Sequence, residues 1–205
     1  IVGITPYCFP KEISTEKSFA ILLNCLSGIN NTSLFLFKNM FINFLLYKIV
    51  MKYRLLSERE KQSSWKKISH FFTIIDNEFV PPLSSRGDTV KSAIKKNDTA
   101  EVIVAETNGK FVGIVIFWSY YYKVRSSYFH WLIVEPKFRS KGIGKELTKK
   151  AISRLHKKRI KTIKLVTYNT KKVALKIYKS AGFKIYYTRK NIKGPGIDKV
   201  YLVLK

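Results

Sequence analysis

Cysteine is nearly absent from this 205-residue chain: Cys8 and Cys25 lie near its start and none follows. Residues 26–205 therefore offer no thiol nucleophile, no disulfide and no thiolate metal ligand. Histidine is almost as scarce, and His70, His130 and His156 stand too far apart in sequence to form a local metal motif, which argues against any metal site. Acidic residues are few: 13 Asp and Glu face 39 Lys and Arg, for a formal charge of +26. That balance points towards anionic partners such as phosphates, nucleic acid or an acidic membrane face, although a composition simply rich in lysine accounts for it equally well. An uninterrupted membrane-length apolar run is also missing. Residues 34–50, "LFLFKNMFINFLLYKIV", come near, but a spanning helix would place Lys38, Asn39, Asn43 and Lys48 in hydrocarbon. Neither a basic opening nor a small-residue cleavage site marks a signal peptide, so the chain is expected to be cytoplasmic and not held at a membrane, an anchor through 34–50 being a minority reading.

What is present suits one domain with a sizeable core, 46% of the 23.8 kDa chain being apolar and 14% aromatic. The first 50 residues differ from the rest, with four lysines, two glutamates, an Ile at position 1 and no sustained periodicity. They are expected to be an extension outside the folded unit, which then begins at Met51 and fills 51–205. Within it, "KYRLL" (52–56) predicts a short strand, and Ser57 with Glu60 forms a capping box opening a helix to about Ile75. Two prolines in "FVPPLSSRGD" interrupt, and "TVKSAIKK" predicts a second short helix. Strands follow at 101–106 and 110–122 across a Thr107-Asn108-Gly109 turn, then at 126–134, ended by Pro136. Leu147, Ala151, Ile152 and Leu155 give the next helix an apolar stripe. A strand at 160–168, a helix ending at Gly182 and a last hairpin across Gly194-Pro195-Gly196 complete a mixed α/β order. The aromatics fall in these strands as core alternation, not as an exposed stacking platform.

The chemistry concentrates at "RSKGIG" (139–144), between the apolar strand "YFHWLIV" and a helix. Gly142 and Gly144 lack a Cβ, which lets an anion approach the main chain. The helix opening there points unpaired N–H groups and the positive end of its dipole outward, and Arg139, Lys141 and Lys145 flank the mouth. This is what a pyrophosphate requires. A P-loop would need Gly at 139 and Ser or Thr at 146, where Arg139 and Glu146 stand, and a dinucleotide fingerprint wants a small residue at 147, where Leu147 stands.

What remains, R-x-x-G-x-G after a strand ending "LIVEP", resembles the acetyl-CoA signature of the GNAT family of N-acetyltransferases. "VAETNGKFVGIVIF" is similar to the second and third strands of that fold, and "ALKIYKSAGF" (174–183) to its A-x-x-x-Y-x-x-x-G-F pattern. The likeness covers about 52–205. It implies a mostly antiparallel central sheet flanked by helices and acetyl-CoA as co-substrate. It also implies pairing of the pantetheine arm with the backbone at Leu132, Ile133 and Val134, and pyrophosphate on the N–H groups of Arg139, Ser140, Lys141, Gly142, Ile143 and Gly144. Tyr178 takes the place of a tyrosine that protonates the departing thiolate, though a phenol pKa near 10 against a thiol near 8.5 needs help from its surroundings. Family members often carry Asn where this chain has Lys171, and Asn169 is the nearest substitute.

The general base is less defined. His130 shares a strand face with Leu132 and Val134 by period two, which makes it a candidate base looking into the cleft, with a packed core histidine as the competing reading. Glu135 and Glu106 at strand ends are further candidates, His156 is expected on the surface, and Tyr120, Tyr121 and Tyr122 are candidates for the substrate side. With no cysteine in the domain, the implied reaction is direct acetyl transfer to a primary amine in a ternary complex. A basic nucleic-acid-binding module, and a protein of the same fold that binds acetyl-CoA without turnover, stand as alternatives. The acceptor stays open between small metabolites, aminoglycosides and protein amines including ribosomal ones, with polyamines disfavoured by like charge. Nothing in the sequence supports association with nucleic acid or the ribosome, which stays open, and the resemblance leaves room for a homodimer, common in the family.

Overall fold

Asn108 and Gly109 both hold positive φ, 48° and 71°. Such a two-residue turn has the twist a hairpin needs, and it joins β2 (Ala100–Thr107) to β3 (Lys110–Trp118). This computed structural model describes residues 51–76, 94, 99–120 and 126–205. The expected extension at 1–50 with both cysteines, the apolar run 34–50, the loop and helix expected across 79–96 apart from Ile94, and Tyr121 and Tyr122 lie outside the described residues.

Around that hairpin stand β1 (Lys52–Leu55), β4 (Ser126–Val134), β5 (Thr162–Tyr168), β6 (Lys184–Arg189) and β7 (Lys199–Leu204). They form one seven-stranded sheet in the order β1-β2-β3-β4-β5-β7-β6. Every neighbouring pair is antiparallel except β4 and β5, which run parallel across a helical crossover. This is the mixed, mostly antiparallel sheet flanked by helices that the sequence resemblance implied.

Alternation along the strands assigns the two faces. On one, α1 (Glu58–Ser63) and α2 (Trp65–Ile74) bring Ile68, Phe71 and Phe72 onto Val102, Val104, Ile114, Ile116 and Ile133. Burial of each such side chain contributes about 2 kcal/mol. The single helix expected over 57–75 is broken at Ser64 (φ −92°, ψ 13°), which ends α1 and begins α2. Serines bond back to nearby carbonyls, as Ser63 Oγ does to Glu60 O at 3.4 Å, and so compete with the helical ladder. The Ser57/Glu60 capping box is formed in both directions.

On the opposite face lie α3 (Ile143–Lys157) and α4 (Lys172–Ser180). Leu147, Ala151 and Leu155 of α3 are fully buried, while Ile152, the fourth residue of the predicted stripe, is only partly buried. The C-terminal half of α3 is tied to β2 by Glu101, an 11%-exposed carboxylate that accepts from Arg154 Nε at 2.7 Å and also from Lys158 and Ser119. One expectation fails at the sheet end. All six residues of β6, the strand at the end of the sheet, are exposed, Tyr186 and Tyr187 by 53% and 54%.

Candidate active site

The site begins where two parallel strands part. β4 and β5 pair from Ser126↔Thr162 to Phe129↔Leu165 and then stop. β4 continues against β3 as far as Val134↔Gly113, and β5 against β7 as far as Tyr168↔Lys199. Residues 130–134 therefore present a main-chain edge towards β5 with no strand beside it among the described residues, the arrangement that takes up an extended ligand by main-chain hydrogen bonds. Leu132, Ile133 and Val134 all lie on this edge. The side chain of Ile133 is committed to the core beneath α2, while Leu132 and Val134 turn to the α3 face.

Immediately beyond, Pro136–Phe138 makes a single 3₁₀ turn, Arg139 is extended, and the chain enters α3 through Ser140 (φ +61°) and Gly142 (φ +81°) with Lys141 between them at ordinary φ. Alternating hand along successive residues makes a concave nest of N–H groups that favours anions. The first bond of the α3 ladder here is Glu146 N–H to Gly142 O, 3.0 Å, so the amides of Gly142, Ile143, Gly144 and Lys145 precede the ladder. Arg139 departs from its expected part: its N–H donates to Pro136 O at 3.1 Å and its Nε to Val134 O at 3.0 Å. Its amide is thus used within the turn, and its side chain braces the end of β4. Lys141 lies over the Phe138 ring at 5.3 Å.

The two glycines serve different needs. A Cβ on Gly142 would meet nothing within 4 Å, so that position is set by its left-handed φ. A Cβ on Gly144 would point inward, 3.1 Å from Ile177 Cδ1 and 3.8 Å from Val134 Cγ2, so that position is set by close packing of α3 on α4 and β4 and not by room for an anion. A third glycine, passed over in the sequence, matters as much. Gly113 on β3 lets α3 settle onto the sheet, for a Cβ there would stand 2.9 Å from Ile143 Cγ2. A glycine inside a strand is the signal that would have found it.

Tyr178 on α4 is buried and is linked to the end of the β4–β5 pairing through Phe183. Phe129, the last β4 residue paired with β5, touches Phe183 at 5.9 Å between ring centroids, and Phe183 meets the edge of Tyr178 at 5.8 Å. Burial pushes the phenol pKa well above its ordinary value, with Tyr128 adding a smaller push in the same direction. Tyr178 is therefore fully protonated at neutral pH, the form a donor needs, yet its apolar surroundings weaken it as an acid.

His130 does not share a face with Leu132 and Val134. The register opposite β3 skips it, Ile116 pairing with Trp131 and Phe117 with Phe129, so His130 is the extra residue of a β-bulge. Its ring stacks on Trp131 at 4.2 Å, and Trp131 packs edge-on to Phe72 of α2 at 5.3 Å. Trp118 and Tyr128 complete the surround at 4.2 and 5.3 Å. The bulge thus re-aims the imidazole to the α1/α2 face, which period-two counting could not anticipate. Desolvation lowers its pKa to about 4, leaving it neutral at pH 7.

The other candidates are engaged elsewhere. Glu106 accepts from Arg54 Nε at 2.9 Å, and Glu135 pairs with Lys137 at 3.1 Å. Asn169 spends both side-chain ends on the loop before β7, Nδ2 donating to Gly196 O at 2.9 Å and Oδ1 accepting from Asp198 N–H at 3.0 Å. Lys171 occupies the N-cap position of α4 without a capping bond from its side chain, His156 is exposed in the last turn of α3 as expected, and Tyr120 is exposed. Among the described residues, no group of three His, Cys, Asp or Glu is placed to hold a metal, and no helix is long and apolar enough to cross a membrane.

Residues 68–183 match a family model described as "Acetyltransferase (GNAT) family". Among solved structures, the ribosomal-protein-S18-alanine N-acetyltransferase from Escherichia coli is similar with a TM-score of 0.62 at 18% identity, over 75% of this chain and 92% of that one. An N-acetyltransferase from Staphylococcus aureus Mu50 is similar at TM-score 0.61 and 16% identity, over 76% and 98% of the two chains. The IAA acetyltransferase from Bacillus cereus ATCC 14579 gives 0.56 at 15%, over 75% and 98%. At these identities the likeness concerns the fold. No curated protein matches the chain in sequence.

Proposed function

Because the chain belongs to the GNAT family of acetyltransferases, we propose that it binds acetyl-CoA in the gap between β4 and β5 and delivers the acetyl group to a primary amine. One observation carries this reading: the unaccompanied edge of β4 at 130–134 leads straight into the nest of amides at the head of α3. The first suits an extended amide-bearing arm and the second a diphosphate, so a single ligand containing both is held at two places.

Bound acetyl-CoA would supply an activated acetyl carbonyl and a thiolate leaving group. The residues of the chain then have separable tasks. The main chain of Leu132 to Val134 aligns the arm, and an N–H there polarises the acetyl carbonyl as its oxygen gains charge. The amides of Gly142 to Lys145 and the side chains of Lys141 and Lys145 hold the diphosphate. Tyr178 donates a hydrogen bond to the sulfur as the carbon–sulfur bond breaks and the carbon–nitrogen bond forms. Transfer is direct, since residues 26–205 contain no cysteine to carry the acetyl group.

A neutral His130 with a pKa near 4 is a weak acceptor for the proton of an alkylammonium titrating near 10. We assign amine deprotonation to solvent before attack, and to His130 a place in the aromatic wall on the acceptor side. The E. coli neighbour is named for an alanine of ribosomal protein S18. A protein amine is one acceptor class for this chain, and small amines of low positive charge are the other.

Calorimetric titration of the full chain with acetyl-CoA, followed by a panel of amines read by thiol release, tests the proposal. Saturable micromolar binding with CoA release for at least one amine is expected. Absence of both would sink it.

A further inference from the structure

Beyond β4 the sheet has a face that no described helix covers, and its chemistry is unlike that of the site described above. Residues directly opposite in a ladder share a face, so the registers of β5, β7 and β6 place their side chains in rows. Lys164, Val203 and Lys184 form the first row and Val166, Tyr201 and Tyr187 the second. Tyr168, Lys199 and Arg189 form the third. The opposite side of β5 and β7 carries Ile163, Leu165, Val200 and Leu202, all buried.

A bulge enlarges the platform. The register of β6 passes from Ile185↔Leu202 to Tyr187↔Tyr201 and skips Tyr186. Strict alternation would send Tyr186 and Tyr187 to opposite faces, but both rings meet Tyr201, at 6.3 and 5.2 Å between centroids. Lys193 lies over the Tyr168 ring at 4.8 Å and Lys199 over Tyr201 at 5.5 Å. Tyrosine rings and cations are thus interleaved on one surface, with Tyr186 and Tyr187 each more than half exposed.

Charge decides what can lie there. Residues 161–205 hold twelve Lys and Arg but a single acid, Asp198, whose Oδ1 accepts from the Asn191 amide. A second copy of the chain would bring the same sign against itself, and residues 1–50, with four lysines and two glutamates, offer no neutralising charge. An acidic peptide supplies charge but no planar faces for four tyrosines. A flexible polyanion with unstacked rings supplies both. We propose that the β5-β7-β6 face binds single-stranded nucleic acid, its phosphates beside Lys164, Lys184, Arg189, Lys193 and Lys199, and its bases stacked on Tyr186, Tyr187 and Tyr201.

Fluorescence anisotropy of the full chain with labelled 12-nucleotide RNA and DNA strands, at saturating CoA so that the phosphate turn is filled, tests this directly. Five phosphate contacts give a slope of log K against log salt of about −3 to −4 for a single strand. The Tyr186→Ala/Tyr187→Ala pair, at exposed positions where folding is not at stake, is expected to weaken binding about tenfold or more. Arg189→Glu should weaken it and flatten the salt slope, whereas Lys149→Glu, the same charge change on the outer side of α3, should do neither. Tighter binding of the RNA or of the DNA strand identifies which source the face serves. The proposal is overturned by no binding at 50 mM salt, by wild-type affinity in the tyrosine pair, by equal effects of Arg189→Glu and Lys149→Glu, by displacement with polyglutamate as readily as with unlabelled strand, or by loss of binding when CoA is added.

Discussion

Gly113 on β3 lies directly beneath Ile143, the first residue of α3: a Cβ on Gly113 would stand 2.9 Å from Ile143 Cγ2 and 3.1 Å from Leu147 Cδ1. The height at which α3 sits on the sheet, and so where its leading amides point, depends on this contact. Gly113→Ala should destabilise the fold by about 1–3 kcal/mol through overpacking and weaken acetyl-CoA binding by lifting the first turn. Denaturant midpoints and calorimetric affinity measure the two effects. An unchanged midpoint together with unchanged affinity would show that α3 is not seated as described.

Gly142 and Gly144 should respond differently to the same substitution. Gly142→Ala places a Cβ in open space but in a left-handed conformation, at a cost of about 1–2 kcal/mol relieved by reshaping the nest. Acetyl-CoA affinity is therefore expected to fall more than stability. Gly144→Ala meets the flexible end of Ile177, which can turn aside, so its effect should fall on stability and stay near 1 kcal/mol. Calorimetry and melting of both variants separate the two roles, and an equal loss of affinity in both would contradict the assignment.

Legibility in the sequence followed how local each requirement is. The Asn108-Gly109 turn, the Ser57/Glu60 box and the glycine-bearing entry to α3 are set by dihedrals and bonds within a few residues, and the chain states them openly. Gly144 is different, for its reason is Ile177 on another helix. The orientation of His130 turns on a bulge decided by pairing with β3, and that of Tyr186 on a bulge decided by β7. The place of β6 at the end of the sheet follows from β7 inserting between it and β5. Alternation within one strand carries no record of which strand lies beside it.

Tyr178→Phe keeps the ring against Phe183 and removes only the hydroxyl. Stability and the KM for acetyl-CoA should hardly move, while kcat falls about 100-fold as the hydrogen bond to the departing sulfur is lost. Because burial raises the phenol above its ordinary value, the wild-type rate should show no alkaline decline below pH 10 attributable to Tyr178. Unchanged kcat in the variant would reassign Tyr178 to packing.

Glu101 joins β2 to the far end of α3, and its loss would leave Arg154 and Lys158 without their anion. The carboxylate is only 11% exposed, so Glu101→Gln is expected to cost about 3 kcal/mol in urea unfolding. Glu146→Gln is the matched comparison. Its partner Lys150 stands 3.9 Å away on an exposed helix surface, and the change should cost less than about 1 kcal/mol. Similar costs for the two would mean that the Glu101 network is solvated.

His130 makes stability fall with acid over a defined window. Its folded pKa is lowered by burial to about 4, against an ordinary 6.5. Above pH 6.5 the imidazole is neutral in both the folded and the unfolded chain and contributes nothing to the pH dependence. Below it the unfolded chain takes up a proton that the folded chain refuses, so stability drops as pH falls towards 4, by about 2 kcal/mol at pH 5. His130→Phe preserves a ring among Trp118, Tyr128 and Trp131 and should remove this part of the acid slope, visible as a smaller gap between urea midpoints at pH 7.5 and pH 5 than in the wild type. If solvent deprotonates the amine, the same variant keeps kcat within about tenfold and the acid limb of the rate follows the pKa of whichever amine is supplied. A loss of a hundredfold or more, with an acid limb near 4 in the wild type independent of the amine, would restore His130 as the base.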